Sequence, residues 1–203
     1  MIDIIQAAGW PIWPIILCSI IALGIIGERG GSLRRRVVAP KHLLPKVARE
    51  YQQNGVSQDM LERLTENSPL GRIFAAGLRN VKSSREIMKE SIEESGRGVT
   101  QELDRFLTTL GTIATMAPLL GLLGTIIGMI EIFGAQAPTG IANPQALAHG
   151  ISVALYNAAF GIIVAVPALI FYRYYRAKVD DLVVEMEQQA VKLVEVVHGE
   201  RQV

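Results

Sequence analysis

Three long runs without a charged residue constrain the fold of this chain more than any other feature. Residues 10–27 form an uncharged run of 18, residues 107–130 a run of 24, and residues 132–172 a run of 41. A helix of about 20 residues crosses the ~30 Å hydrocarbon core of a bilayer. The sequence therefore predicts an all-α, polytopic membrane protein with three transmembrane helices at residues 10–27, 107–133 and 151–172.

The third uncharged run is too long for a single crossing. Pro138, Gly140 and Pro144 supply helix breakers near its start, so residues 134–150 are predicted as a loop. The remaining parts of the predicted organisation are an N-terminal segment at residues 1–9, a helical domain at 28–106 and a C-terminal helix at 173–203.

The basic residues lie on one side of this arrangement. Of the 20 Lys and Arg residues, 15 fall between Arg29 and Arg105 and 5 between Arg173 and Arg201. Because positive charge stays in the cytoplasm, residues 28–106 and 173–203 are predicted to be cytoplasmic, whereas residues 1–9 and 134–150 face outward. Residues 34–36, all arginine, then lie close to the inner headgroups. The first segment has Asp3 and no basic residue, which argues against a cleaved signal peptide.

Aromatic residues at the ends of the spans fit this orientation, since Trp and Tyr are enriched at membrane interfaces. The predicted outer belt contains Trp10 and Trp13, and the predicted inner belt contains Tyr172, Tyr174 and Tyr175.

The segments outside the spans show helical periodicity. Apolar residues recur three and four apart at Leu43, Leu44 and Val47 and again at Met60, Leu61 and Leu64, which predicts short amphipathic helices. Ser68 and Pro69 are typical of an N-cap followed by the first helical residue. Residues 85–106 are predicted to extend the second membrane helix into the cytoplasm. Residues 179–197 carry an apolar stripe that favours packing against a partner or a second copy over a small-molecule site.

Composition excludes several classes of function. A net charge of +1 does not fit a nucleic-acid-binding protein. Cys18 is the one cysteine, so the chain has neither a disulfide framework nor a cysteine-based zinc site. An intramembrane enzyme would need a nucleophile with a base or a metal-binding set, and no such grouping is found. We therefore predict a protein that is not an enzyme and has no metal or cofactor.

Small residues in the second and third spans favour close contact between helices. Gly121, Gly124 and Gly128 follow a small-xxx-small spacing, which lets two backbones approach. Gly161 and Pro167 offer a close contact or a kink in the third span. For the glycines alone, simple helix packing is the favoured interpretation.

Polar side chains in the spans have two interpretations. Thr108, Thr112 and Thr115 lie on one sector of the second helix, where their hydroxyls either bond to the preceding turn or line a hydrated path. In the third span the polar side chains are Ser152, Tyr156 and Asn157. Asn157 should face another helix or a cavity, because an amide without a partner is costly in hydrocarbon.

Asp, Glu, Lys and Arg are absent from the predicted second and third spans, apart from Glu131 near the outer end of the second. Proton pathways through bilayers use such groups. If this protein moves protons, another chain must bring a carboxylate into the membrane.

Two segments carry a family resemblance. Residues 121–129, Gly-Leu-Leu-Gly-Thr-Ile-Ile-Gly-Met, and residues 150–155, Gly-Ile-Ser-Val-Ala-Leu, followed by 161–168, Gly-Ile-Ile-Val-Ala-Val-Pro-Ala, resemble the MotA/TolQ/ExbB proton-channel family. The likeness is to its ExbB/TolQ branch and covers nearly the whole chain. The four-span flagellar MotA layout fits less well, because only three uncharged runs exist.

The resemblance implies a homo-oligomeric ring, a pentamer, in the bacterial inner membrane. Its second and third helices would line a pore holding the single spans of two ExbD- or TolR-like subunits, each carrying a membrane aspartate. Proton flow would drive outer-membrane transport or envelope maintenance, with a TonB- or TolA-like protein as a further partner.

The resemblance also implies roles for individual residues. Thr125 matches the pore-lining threonine of the second helix. We expect Thr125, Asn157, Thr115, Ser152 and Tyr156 to form the proton pathway, and Glu131 to lie at the pore mouth. The helix-packing set is Gly121, Gly124, Gly128, Gly161 and Pro167.

At two positions the sequence departs from the family pattern. Val153 stands where relatives often have glutamate, and Ala158 stands where they have threonine. An alternative function, favoured by the absence of a charged residue from 107–130 and 151–172, is a non-conducting membrane scaffold that recruits partners through its cytoplasmic helices.

Overall fold

The computed structural model describes residues 9–136 and 144–200, without the side chains of Ala135, Gln136, Ala146 and His149. These described ranges contain eight helices and no strand. In chain order they are α1 (Ile12–Ser32), α2 (Arg35–Val38), α3 (Leu43–Asn54), α4 (Gln58–Asn67), α5 (Pro69–Arg79), α6 (Arg85–Asp104), α7 (Leu107–Gln136) and α8 (Pro144–Val197). The predicted all-α class is confirmed.

Three helical stretches are long and apolar enough to cross a membrane. They are Ile12–Ser32, Arg85–Gly134 and Gly150–Val197. The apolar part of the second is α7, and that of the third is the first half of α8. The prediction of three membrane-spanning helices is thereby confirmed.

The chain divides into two compact units. We call residues 1–28 and 106–174 the apolar unit, and residues 29–105 and 175–203 the polar unit. The divisions at residues 28, 105 and 174 lie close to the predicted membrane boundaries at residues 27, 106 and 172. Of the terminal segments, residues 1–8 and 201–203 lie outside the described residues.

Serine caps begin three helices of the polar unit. Ser68 Oγ accepts a hydrogen bond from the Gly71 backbone N–H at 3.1 Å, and Pro69 is the first residue of α5. The predicted helix start at Ser68 and Pro69 is confirmed. Ser57 and Ser84 cap α4 and α6 in the same way.

At the start of α6, a backbone hydrogen bond, with help from the Ser84 hydroxyl, lowers the pKa of Glu86.

The apolar faces of these helices form the core of the polar unit. Of the apolar residues that predicted these helices, Leu43, Val47, Met60, Leu61 and Leu64 are buried, whereas Leu44 is half-buried. The stripe in the last part of α8 is also covered within the chain, at the buried residues Val179, Leu182, Met186, Ala190, Leu193 and Val194. The predicted amphipathic character of these segments is confirmed, but the stripe of α8 packs within the chain and not, as expected, against a partner or a second copy.

A two-residue turn separates α6 from α7. The sequence predicts that the helix continues through residues 85–106, whereas the structure interrupts it at Arg105 and Phe106. Phe106 has a φ of 65°, in the left-handed region that residues with a β-carbon seldom occupy. The stretch Arg85–Gly134 is therefore helical on both sides of a local turn.

The helices on either side of the predicted 134–150 loop are longer than expected. Helix α7 runs to Gln136 and α8 begins at Pro144, so only residues 137–143 fall between them, and these lie outside the described residues. Pro144 starts a helix without the loss of a hydrogen bond, because the backbone N–H of a first helical residue has no partner within the helix. It begins a helix instead of breaking one.

One predicted interfacial tyrosine is internal. Tyr175 is 3% exposed, and its hydroxyl would lie 3.2 Å from a β-carbon at Gly30. Trp10, Trp13 and Tyr174 are exposed. Tyr175 thus packs inside the polar unit, and its assignment to the inner aromatic belt is wrong.

Candidate functional site

Helices α7 and α8 meet in the apolar unit through small residues. A β-carbon at Gly121 would lie 2.7 Å from the Asn157 carbonyl oxygen, and one at Gly161 would lie 2.6 Å from the Ala117 carbonyl oxygen. Real β-carbons do not come this close to a backbone atom. The two backbones therefore approach closely only because both positions are glycine.

The same contact continues along both helices. A β-carbon at Gly128 would lie 3.1 Å from Ala154 Cβ. Near the other end of the pair, a β-carbon at Gly111 would lie 3.1 to 3.3 Å from three ring atoms of Tyr172. Glycine or alanine thus lines one face of α7 for most of its length.

Pro167 differs from the glycines assigned with it to helix packing. It lies inside the unbroken helix α8 and is exposed, whereas its neighbours Ala165 and Ala168 are buried. Proline lacks a backbone N–H, so it leaves the Ile163 carbonyl without its usual helical donor. Its place is on the outer face of α8.

Among the described residues of the apolar unit, Asn157 is the most buried polar side chain, at 2% exposure. A β-carbon at Gly124 would lie 2.7 Å from Asn157 Cβ and 2.8 Å from its Cγ. The amide therefore fills the space that the glycine leaves open. Of the two interpretations from the sequence, the structure of the single chain places Asn157 between helices.

The hydroxyl groups lie elsewhere on the helix surfaces. Thr115 and Ser152 are exposed, and Tyr156 is 40% exposed. At about 100° per residue, Thr115 lies about 180° around α7 from Gly124, and Ser152 about 140° around α8 from Asn157. The five residues predicted as a proton pathway are therefore not brought together within one chain.

Each of these threonine and serine hydroxyls donates to its own helix. Thr115 Oγ1 bonds to the Thr112 carbonyl at 2.9 Å, Thr125 Oγ1 to the Leu122 carbonyl at 2.7 Å, and Ser152 Oγ to the Ala148 carbonyl at 2.9 Å. Such bonds satisfy the donor in an apolar environment. The hydroxyl oxygens keep lone pairs that can accept a hydrogen bond.

Thr125 lies at the edge of the helix contact. It is half-buried and follows Gly124, which contacts Asn157. It also lines a shallow depression of about 570 Å³ whose other lining residues are Ile126, Met129, Ile130, Phe133 and Gly134. Thr125 thus supplies the polar side chain of an otherwise apolar surface.

Charged groups are scarce near this site. Glu131 is exposed near the end of α7, and residues 107–130 and 151–172 contain no Asp, Glu, Lys or Arg. Within the described ranges, no three His, Cys, Asp or Glu side chains come together in a way that could hold a metal ion. The site offers hydroxyls and one amide, but no acid at membrane depth.

Sequence reasoning found part of the helix contact and missed the rest. Gly121, Gly124 and Gly128 stand out by their spacing, while Gly111 and Ala117 on the same face do not. The missed signal is the small-residue pattern of α8, where Gly150, Ala154, Asn157, Gly161, Ala165 and Ala168 recur at intervals of three and four.

Comparison with known protein families matches the part of the chain that contains α7 and α8. The model of the MotA/TolQ/ExbB proton channel family matches residues 65–188, which include all of α7 and most of α8. The chain belongs to this family.

Similar proteins of the family come from different bacteria. The chain is 31% identical over 171 residues to the biopolymer transport protein exbB1 of Vibrio cholerae, covering 81% of this chain and 74% of that one. It is 30% identical over 176 residues to the putative biopolymer transport protein ExbB-like 3 of Synechocystis, covering 85% and 83%. The biopolymer transport protein ExbB of Aquifex aeolicus is 31% identical over 127 residues, covering 63% and 80%.

Membership explains the composition of the site. A channel-family protein with three apolar helices is a membrane transport protein, and its small-residue contact between α7 and α8 falls inside the matched region. Hydroxyl and amide groups at membrane depth suit such a protein better than an acid facing lipid would.

Proposed function

We propose that this chain is the ring subunit of a proton-conducting complex in the bacterial inner membrane. The complex couples the proton motive force to biopolymer transport, at the outer membrane or in envelope maintenance. The relatives named biopolymer transport proteins support this role. Residues 1–9 are periplasmic in this proposal, and the tail at 173–203 is cytoplasmic.

One observation carries the proposal. Two glycine-rich membrane helices of a proton-channel family bury an amide between them and carry hydroxyls, yet have no carboxylate at membrane depth. Water and hydroxyls can pass a proton along, but a relay through the bilayer needs an ionisable group. Such a chain is incomplete as a proton pathway by itself.

The missing group is supplied by a partner in this proposal. An ExbD- or TolR-like subunit with a single span carries an aspartate into a pore formed by five copies of this chain. Thr125 accepts hydrogen bonds from pore water. Assembly of neighbouring copies brings further polar side chains to the same surface, those of Thr115, Ser152 and Tyr156. Glu131 lies at the mouth of the pore. The energy of proton flow is transmitted to a TonB- or TolA-like protein.

Asn157 has an indirect role in this arrangement. It is buried between α7 and α8 next to Gly124, so it sets the spacing of the helices that carry Thr125. We therefore assign it as a positioning residue of the pathway. The threonine position of the family, here Ala158, follows it directly in α8.

Proton uptake into vesicles tests the proposal. The chain is reconstituted alone or with its one-span partner, and acidification is followed with a trapped pH dye after a potential is applied. We expect uptake with both chains together and none with either alone. Uptake that is absent with both chains present, in vesicles shown to contain the complex, would contradict proton conduction.

A second function, a non-conducting membrane scaffold, is favoured by one observation. Thr115, Thr125 and Ser152 all donate their hydroxyl hydrogens to backbone carbonyls of their own helices. Such bonds satisfy the hydroxyl donors without a proton pathway. The same vesicles distinguish the two functions, because a scaffold binds its partner while conducting nothing.

A further inference from the structure

Four exposed residues follow α1 after the buried Leu33. Arg34, Arg35, Arg36 and Val37 are all exposed, Val37 at 50%, although Leu33 before them and residues 38–40 after them are buried. We call these four residues the Arg34–Val37 segment. The segment thus combines three exposed arginines with one exposed apolar side chain.

The segment is held in place on both sides. Leu33 is 0% exposed and Val38 is 1% exposed, so both anchor it in the polar unit. Backbone hydrogen bonds from Val38 to the Arg34 carbonyl, at 3.1 Å, and from Ala39 to the Arg35 carbonyl, at 2.9 Å, close a single helical turn. The side chain of Arg35 is engaged by Glu185. The other exposed side chains therefore project from a fixed backbone.

Arg36 and Val37 share the outer face of this turn. At about 100° per residue, they lie about 160° and 100° around the turn from the buried Val38. No acidic side chain among the described residues lies within ion-pair distance of Arg34 or Arg36. Arg36 and Val37 are thus presented together, while Arg34 is exposed at the start of the turn, about 40° around it from Val38.

The segment also follows the first candidate membrane span closely along the chain. The uncharged run of α1 ends at Gly27, and α1 continues to Ser32. Five residues of helix add about 8 Å. A bilayer is about 30 Å thick in its hydrocarbon core and about 40–45 Å thick with both headgroup layers. The added length is therefore close to the thickness of one headgroup layer. Arginine side chains at this level can extend to the phosphates.

We propose that Arg34 and Arg36 bind the phosphate groups of anionic phospholipids while Val37 enters the boundary of the acyl chains. Guanidinium groups suit this role, because their planar array of donors matches phosphate oxygens. Arg35 contributes little, since Glu185 already neutralises it. The proposal rests on insertion of α1 into the membrane and is independent of proton conduction.

Native mass spectrometry of the full chain in detergent tests this site. Phosphatidylglycerol and phosphatidylcholine are titrated separately, and the bound lipid is counted. We expect tighter binding of phosphatidylglycerol, weakened about 10- to 30-fold in the double variant R34Q/R36Q, because each basic group near a membrane surface contributes on the order of 1 kcal/mol. Val37→Asn should weaken both lipids equally, by about fivefold.

The matched control is the double variant K46Q/R49Q, which removes two exposed charges from α3 and leaves the Arg34–Val37 segment unchanged. We expect it to bind phosphatidylglycerol like the wild type. Equal losses in the two double variants, or no loss in R34Q/R36Q, would overturn the site. Displacement of phosphatidylglycerol by an equal concentration of inorganic phosphate would overturn the assignment to a lipid. Unchanged thermal midpoints show that the variants are folded.

Discussion

Asn157 occupies the space that a side chain on Gly124 would need. The approach is close, since a β-carbon at Gly124 would lie 2.7 Å from Asn157 Cβ. The two residues therefore set the distance between α7 and α8 at this level. Because Thr125 follows Gly124, the same contact also determines where its hydroxyl is held.

Replacing Gly124 by alanine should separate the two helices locally. Overpacking of a close contact costs about 1–3 kcal/mol, so we expect the free energy of unfolding in detergent to fall by that amount. Gly134→Ala is the control on the same helix, since a β-carbon at Gly134 meets nothing within 4 Å. That variant should be unchanged or slightly more stable, because alanine favours helices. Equal stability of the two variants would contradict a tight contact at Gly124.

Replacing Thr125 by valine should impair conduction without loss of assembly. Valine has nearly the same volume but lacks the hydroxyl that now bonds to the Leu122 carbonyl. Losing one hydrogen-bonding group from a proton path should lower the rate about tenfold, as measured by vesicle acidification with the partner present.

Thr65→Val is a suitable control for that measurement. Thr65 makes the same type of bond, to the Leu61 carbonyl at 2.8 Å, but lies in α4 of the polar unit. Conduction should be unaffected by this variant. Normal conduction in Thr125→Val would remove Thr125 from the pathway.

The ion pair between Asp104 and Arg176 joins α6 to α8 within the polar unit. Asp104 Oδ2 lies 2.6 Å from Arg176 Nη1, and the Asp104 side chain is 26% exposed. We expect Asp104→Asn to lower stability by about 1 kcal/mol, seen as a lower thermal midpoint that depends less on salt than that of the wild type.

Asp180 provides the comparison for that ion pair. It faces the same arginine at 3.9 Å and is 65% exposed, so Asp180→Asn should leave the thermal midpoint nearly unchanged. If the two variants lose the same stability, the short pair has no special role in the packing of α6 against α8.

The sequence was sufficient for features that depend on neighbours along the chain. The uncharged runs predicted three membrane helices, and Ser68 with Pro69 predicted the start of α5, because both signals lie in consecutive residues of the chain. The apolar stripe of α8 was likewise visible as a periodicity near 3.6 residues.

Features that depend on contacts between distant residues were not predicted. The spacing of the glycines indicates the contact face of α7, but not that Asn157 of α8 lies opposite Gly124. Nothing in the sequence marks Phe106 for a left-handed backbone, since phenylalanine has no local preference for it. Tyr175 was assigned to the interface because its burial against Gly30 depends on the fold of the polar unit.

The central claim is that a second chain brings the acidic group into the membrane. It is tested most directly by purifying the complex from native membranes in mild detergent and identifying the accompanying chains by mass spectrometry. We predict a co-purifying protein with one membrane span and an acidic residue within that span. Purified protein that conducts protons in vesicles with no such chain present would contradict the account.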